Sequence, residues 1–247
     1  MPAVRERLAV IVPLKDEAEG LAALAPRLDA LQARLASLAD VEFVLVDDGS
    51  TDATWAELES RFAARADVRL ERHPQNRGLS AAIRTGMLAT DAPLCASIDG
   101  DLSYDPGELE HMLPLLQGTD AAIVTASPYH PDGGVEGVPR WRLFLSRTLS
   151  RGYRVLLRSE IRTWTSCFRL YRRAAVVDLP LDHPGFLGTA ELLVRVLRRG
   201  DRVVEHPCVL GVRQFGASKM KIARTIVGHL RLLWWVRGTR NNPTTVP

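Results

Sequence analysis

Leu94-Cys95-Ala96-Ser97-Ile98-Asp99-Gly100-Asp101 carries an apolar run, begun at Ala92, into two carboxylates one residue apart. About fifty residues earlier, Val46-Asp47-Asp48-Gly49-Ser50-Thr51-Asp52 closes another such run. Continuous apolar runs are expected of strands buried on both faces of a sheet. Outward from these two, the first hundred residues alternate strand and helix patterns. Leu8 to Leu14 is a strand, and Leu21, Leu24, Leu28, Leu31, Leu35 and Leu38 then recur at helical spacing. Val41 to Val46 is the second strand. Thr51 or Asp52 can cap a helix carrying Trp55, Leu58 and Phe62. Val68 to Leu70, a helix over Leu79 to Ala89, and the strand Leu94 to Ile98 complete the series. The rhythm predicts an α/β fold, a mostly parallel central sheet flanked by helices.

The second half breaks this rhythm. Asp105-Pro106 starts a helix, with Asp as cap and Pro at the first helical position. Ala121 to Thr125 is extended, and the Pro- and Gly-rich stretch Ser127 to Pro139 is expected to be a mobile loop over a bound substrate. Arg140 to Leu157 is helical, Phe168 to Tyr171 extended, Ala190 to Leu197 helical and Arg202 to Leu210 extended. A mixed extension of the sheet follows from that order. The expected organisation is one domain over residues 1–218, an amphipathic helix over 219–240 and a flexible tail over 241–247.

The chain has 247 residues, 46% of them hydrophobic and 25% charged, which is ordinary for a globular protein. No stretch approaches the roughly eighteen apolar residues of a membrane span, and Met1 to Arg7 carries charge where a signal peptide would be apolar. Cys95, Cys167 and Cys208 show neither a C-x-x-C pair nor metal-ligand spacing, so free thiols in a reducing compartment, the cytoplasm, are expected. The six histidines form no cluster along the chain. The net charge is only +3, yet ten arginines stand between Arg140 and Arg173 against the single acid Glu160. Guanidinium forks match phosphate oxygens. Nucleic acid is not an expected partner, because no helix-turn-helix, zinc or RNA-binding signature accompanies the charge.

Two carboxylates at the end of a buried strand suit a hard divalent cation that also holds a diphosphate, since such a cation takes oxygen ligands and keeps positions open. Ligands of parallel α/β sheets sit beyond the carboxyl ends of the strands. Pro13 to Glu17, Asp47 to Asp52 and Asp99 to Ser103 are expected there.

Together these stretches resemble the inverting family 2 glycosyltransferases of the nucleotide-sugar-binding GT-A fold. The resemblance rests on Ile11-Val12-Pro13-Leu14-Lys15-Asp16-Glu17, Val46 to Asp52, Asn76-Arg77-Gly78-Leu79 with Ala82 and Gly86, and Asp99-Gly100-Asp101-Leu102-Ser103. It continues through Trp141-Arg142, Ser146-Arg147, Thr165 to Arg172, and Arg213 with Gly216 to Met220. Those later stretches resemble the branch of dolichyl- or polyprenyl-phosphate sugar synthases.

The resemblance implies a metal-dependent transferase with a nucleotide-diphospho-sugar donor, GDP- or UDP-linked, and a polyprenyl phosphate acceptor. Pro13, Glu17 and one of Asp47 or Asp48 would hold base and ribose. Asp99 would orient ribose or sugar, Asp101 would ligate Mg²⁺ or Mn²⁺, and Ser103 stands at a further metal-contact position. Arg142, Ser146, Arg213 and Lys219 match positions that grip phosphates. Two alternatives share fold and donor: a hydroxyl acceptor with Glu191 as general base, or a nucleotide-sugar-binding subunit without transfer activity. Lys15 replaces an aromatic residue, Asp16 an Asn and Cys167 a Gly of the family pattern, and Pro128 stands where the lipid-phosphate branch has Arg. The last helix, with Ile222, Ile226, Val227, Leu230, Leu233 and Trp234 on one stripe, either closes the core or lies on an anionic membrane surface, peripherally or beside a membrane partner subunit.

Overall fold

The computed structural model describes residues 5–101, 103–211 and 222–238. Four parallel strands form the amino-terminal half of the sheet: β1 (Glu6–Leu14), β2 (Ala39–Asp47), β3 (Val68–Arg72) and β4 (Leu94–Ser97). They are joined by α1 (Leu21–Leu35), α2 (Thr54–Phe62) and α3 (Leu79–Leu88). A 3₁₀ turn at Pro106–Glu108 then leads into α4 (Leu109–Gln117) and β5 (Ile123–Ser127). Asp105 caps that turn by accepting from Gly107 N at 2.9 Å, as the Asp-Pro pair predicts.

The remaining elements are β6 (Gly134–Val135), α5 (Arg140–Leu157), β7 (Arg169–Arg172), the short α6 (Arg173–Val176), α7 (Leu187–Arg198), β8 (Val203–Pro207), β9 (Val209–Leu210) and α8 (Ile222–Gly238). The large sheet runs β3-β2-β1-β4-β7-β5-β8. Only β7 is antiparallel to its neighbours, and it lies between β4 and β5. The expected mixed extension is therefore an insertion inside the sheet, not an addition at its edge.

Alternation along β1 divides the core. Leu8, Val10, Val12 and Leu14 pack with α1, α2 and α4, while Ala9 and Ile11 pack with α3, α5, α7 and α8. Full burial of side chains such as Leu8 and Ile11 stabilises the fold by about 1.5–3 kcal/mol each. The chain order reverses between β2 and β4 on either side of β1, which opens the crevice where ligands of such sheets bind.

The segment expected to be a mobile loop is tethered instead. β6 pairs with β9, and the Gly134 and Glu136 amides donate to the carbonyls of Cys208 and Leu210 at 3.1 and 2.8 Å. A two-residue strand has too little pattern to register in a Gly- and Pro-rich sequence.

Candidate active site

The loops after β1 and β2 are laced to each other. Asp16, at φ 49°, accepts from the Thr51 amide at 2.7 Å and from Lys15 Nζ at 2.9 Å, while its own amide donates to Ser50 Oγ at 2.8 Å. Lys15 Nζ also donates to the Gly49 carbonyl at 2.9 Å. The Glu17 amide donates to Thr54 Oγ1 at 2.8 Å, leaving its half-buried side chain at the rim with Pro13. Burial disfavours the charged form of Asp52, but hydrogen bonds from Thr54 and the Ala18 amide outweigh it and hold the carboxyl below its usual range.

Asp47 and Asp48 differ sharply. Asp48 Oδ1 accepts from the Arg77 amide at 2.8 Å and faces His73 Nδ1 at 2.7 Å, and Oδ2 accepts from the Gly78 amide at 2.8 Å. It clamps the 73–78 loop onto the end of β2. Gly78, at φ 104°, is required there, because a Cβ would lie 2.7 Å from the Gly185 Cα and the Pro184 carbonyl oxygen. Asp47 accepts from the Ser50 amide through Oδ1 at 2.9 Å. Its buried Oδ2 has no hydrogen bond and lies 3.3 Å from Arg72 Nε. Of the two carboxylates, Asp47 alone keeps an oxygen outside a hydrogen bond.

After β4, Asp99 is half-buried and Asp101 buried. Asp101 Oδ1 accepts from the Ser103 amide at 3.0 Å, closing a tight turn. Gly100 lets the turn sit on the end of β1, since a Cβ there would meet Leu14 Cδ2 at 2.6 Å. Asp99, Asp101 and Ser103 all carry hard oxygen donors, the ligand type that Mg²⁺ and Mn²⁺ favour. The neighbouring Cys167 thiol does not compete. Burial first, and then the charge of Asp99, push its pKa well up and keep it neutral.

Nine of the ten arginines of the basic stretch fall into two groups. Three are bound to carbonyls. Arg169, fully buried, donates to the carbonyls of Thr189 and Trp164 at 2.6 and 2.9 Å, and burial lowers its pKa. Arg172 donates to the carbonyls of Ala121, Leu116 and Thr119, and Arg173 to that of Met87. Arg162 lies 3.6 Å from Glu205. By contrast, Arg140, Arg147, Arg151 and Arg154 on α5 line, with Arg162, an open pocket of about 970 Å³. Arg147 stands 5.3 Å over the Tyr129 ring. A second groove of about 370 Å³ runs between α5 and α8, lined by Arg142, Ser146, Leu145, Ile226 and Leu230 among others. The two cavities share Tyr129, Trp141, Leu143 and Thr148 as walls. The Nε atoms of Arg142 and Arg154 are buried without a hydrogen bond.

Glu191 stands elsewhere. It is 1% exposed on α7 and lines a separate small cavity with His183, Arg195 and Trp235. Its carboxylate accepts from the Asp182 and His183 amides at 3.0 and 2.9 Å and from Arg195 Nε at 2.7 Å, and it faces His183 Nδ1 at 2.9 Å. Burial opposes its charge, yet these donors together lower its pKa. A carboxylate so held is a weak proton acceptor. This geometry is that of a clamp between α7 and the 182–183 turn. Arg213 and Lys219 lie outside the described residues.

The pattern described as Glycosyl transferase family 2 matches residues 9–179, a span that contains both acidic turns. The chain belongs to this family. It is 31% identical over 234 residues to the dolichol-phosphate mannosyltransferase of Pyrococcus furiosus, covering 92% of this chain and 63% of that protein, so the glycosyltransferase spans somewhat less than two thirds of that relative. It is also 31% identical over 242 residues to the polyprenol monophosphomannose synthase of Mycolicibacterium smegmatis, covering 94% of this chain and 88% of the relative. Among solved structures, glucosyl-3-phosphoglycerate synthase of Mycobacterium tuberculosis, in complex with Mn²⁺, UDP and glucosyl-3-phosphoglycerate, superposes with a TM-score of 0.71 at 20% identity, over 94% of this chain and 80% of that one. The fold is therefore that of the GT-A glycosyltransferases.

The family 2 glycosyltransferase thus brings Pro13, Glu17, Asp47, Asp99, Asp101 and Ser103 to one edge of its sheet. It sets Arg142 and Ser146 in the groove beside α8. Reading from sequence missed the Asp48 clamp, because an Asp-Gly pair after a strand already suffices for a turn.

Proposed function

We propose that this glycosyltransferase moves a hexose from a GDP- or UDP-sugar to a polyprenyl phosphate at a cytosolic membrane face. The observation that carries this reading is the shared wall between the arginine-lined pocket and the apolar groove of α5 and α8. An anionic head joined to a hydrocarbon tail needs those two environments side by side. The names of the two relatives point the same way.

In the in-line displacement, an acceptor phosphate oxygen forms the bond to the anomeric carbon as the bond to the diphosphate breaks. Nucleoside diphosphate leaves with the electron pair. A phosphate is already anionic near pH 7, so no general base is needed, consistent with the clamped state of Glu191. Pro13, Glu17 and Asp47 would hold the nucleoside, and Asp99 the ribose or sugar. Asp101, Asp99 and Ser103 would hold Mg²⁺ or Mn²⁺, which neutralises charge on the departing diphosphate. Arg142, Ser146 and the α5 arginines, with Arg213 and Lys219, would orient the phosphates. Arg147 seats a guanidinium over the ring of Tyr129, the residue after Pro128, where the branch pattern has an arginine.

No helix among the described residues is long and apolar enough to cross a membrane. α5 and α8 nevertheless expose Trp141, Phe144, Leu230 and Trp234, the last at 78%, close to the arginines of α5. That pairing suits a surface of anionic lipid.

The test is mass-resolved transfer from mixed GDP- and UDP-sugars with Mn²⁺ to a short polyprenyl phosphate in detergent, with the phosphate-free alcohol as control. A sugar-phosphate-lipid product that requires the phosphate is expected. Transfer to the alcohol instead, or donor hydrolysis alone, would sink the proposal.

A further inference from the structure

Six histidines and three cysteines without metal-ligand spacing give no hint of a soft metal site. Folding nevertheless gathers one. Glu108 precedes α4, His206 stands in β8 and Cys208 follows that strand. A Glu108 carboxylate oxygen, a His206 ring nitrogen and Cys208 Sγ all lie within 4.8 Å of one another. His206 Nε2 and Glu108 Oε2 are 2.9 Å apart across 98 residues of sequence, and Cys208 is 3% exposed.

Two simple spacings produce this cluster. His206 and Cys208 alternate onto one side of an extended segment, the side of Val204 and Leu210, which pack against the same core as α4. Glu108 and His111, three residues apart at the start of a helix, share one side of it. The His111 ring centroid is 6.2 Å from that of His206.

We propose that Glu108, His206 and Cys208 bind Zn²⁺ at a site distinct from the acidic turn after β4, with His111 or water as the fourth ligand. Thiolate, imidazole and carboxylate together suit this borderline-soft ion, whereas Mg²⁺ and Mn²⁺ favour oxygen alone. Bonds of about 2.0–2.3 Å would set the donor atoms about 3.3–3.8 Å apart. The Glu108–His206 pair, 2.9 Å apart, would open by about half an ångström to that spacing, exchanging its mutual hydrogen bond for the metal, while both side chains close on Cys208 Sγ. The Cys208 thiol releases its proton to solvent as the Zn–S bond forms.

The position gives the ion a structural task. The Cys208 amide donates to the Ser127 carbonyl at 3.3 Å and its carbonyl accepts from Gly134 at 3.1 Å, so Cys208 joins the large sheet to the small one. Three residues on, the Gly211 amide donates to the Ser103 carbonyl at 2.9 Å, beside Asp101. Zinc would staple this junction to α4 and stiffen the segment behind the acidic turn.

Titration of the reduced, metal-stripped full chain with Co²⁺ tests the proposal, with Zn²⁺ as competitor. One equivalent should produce a thiolate-to-cobalt charge-transfer band with the visible absorption of a four-coordinate ion, displaced by stoichiometric Zn²⁺. Cys208→Ala should abolish the band and His206→Gln should weaken binding by about tenfold or more. Cys167→Ala and Asp101→Ala should leave it intact. Absence of the band in folded wild-type protein, checked by circular dichroism, overturns the proposal. So does a band that survives Cys208→Ala, or one lost in Cys167→Ala, which would put the thiolate at the acidic turn.

Discussion

At the end of β2, Asp48 accepts from two backbone amides and faces a histidine, whereas along α5 Arg142 and Arg154 keep buried Nε atoms with no hydrogen bond. The side of the crevice formed by the loops after β1 and β2 is organised by side chains of its own, with Asp47 Oδ2 its one buried oxygen outside a hydrogen bond among the described residues. The side formed by α5 and α8 holds guanidinium groups around open space. Pre-organised donors lower the cost of fixing a ligand and of meeting charge as it develops. Unpartnered buried polar atoms raise the cost of the empty state, which a phosphate ligand would offset.

The largest expected effect lies at the organised side. Asp101→Ala should lower turnover by about 10²–10³-fold or more, a loss of about 3–4 kcal/mol of transition-state stabilisation. Full activity at saturating donor would remove the metal mechanism and leave the carboxylate pair as a turn-former.

On the open side, Arg147→Ala with Arg151→Ala should raise KM for the phosphate acceptor by about 10–100-fold, the scale of one or two charge-assisted hydrogen bonds. Slow hydrolysis of the donor should be unchanged, because the proposed donor site is built from the loops after β1, β2 and β4. An equal loss in both reactions would mean that the two sides of the crevice are not separate.

The division between the two arginine groups shows what the sequence made legible. β1, α3 and α5 fall where periodicity places them, because each has a long apolar pattern. The acidic turns after β2 and β4 were legible as well, since their acids follow the strands closely. That Arg169, Arg172 and Arg173 tie carbonyls from α3, α4, α7 and the turn before β5 was not. In sequence they are indistinguishable from Arg147 and Arg151, and only the insertion of β7 between β4 and β5 separates them. The surroundings of Glu191 were hidden for the same reason: the amides of Asp182 and His183 reach it through a turn that no local pattern reveals.

A third effect concerns acid. His229 is buried on α8 beside the Tyr153 hydroxyl, 3.0 Å from Nδ1. Burial, with a small contribution from His183, lowers its pKa to about 4. The unfolded chain, with an ordinary value of about 6.5, takes up the proton first. Stability from this group is therefore complete above about pH 6.5 and declines as pH falls toward 4, with about 2 kcal/mol gone at pH 5. Denaturant melts at pH 7 and pH 5 should show that loss in wild type and a much smaller one in His229→Gln. Hydrogen exchange should report it at α5 and α8 before β1 to β4, and a uniform response across the sheet would erase the contrast.

The smallest effect on chemistry, and the sharpest on interpretation, is expected from Glu191→Gln. Its carboxylate is held ionised by Arg195, His183 and two amides, so its stabilising charge is present above about pH 4.5 and is lost as pH falls through the lowered folded value. Gln offers one acceptor where two stood and places a donor against Arg195 or His183, costing about 1–3 kcal/mol of stability. With a phosphate acceptor the folded variant should keep kcat within about threefold of wild type, because removing a true general base typically costs about 10²–10⁴-fold. The pH–rate profile separates the two roles. A clamp leaves the shape of the curve unchanged, while a base leaves an acidic limb that disappears with the carboxylate. Such a limb, lost in the variant, would make the α7 carboxylate catalytic and transfer the acceptor from phosphate to hydroxyl.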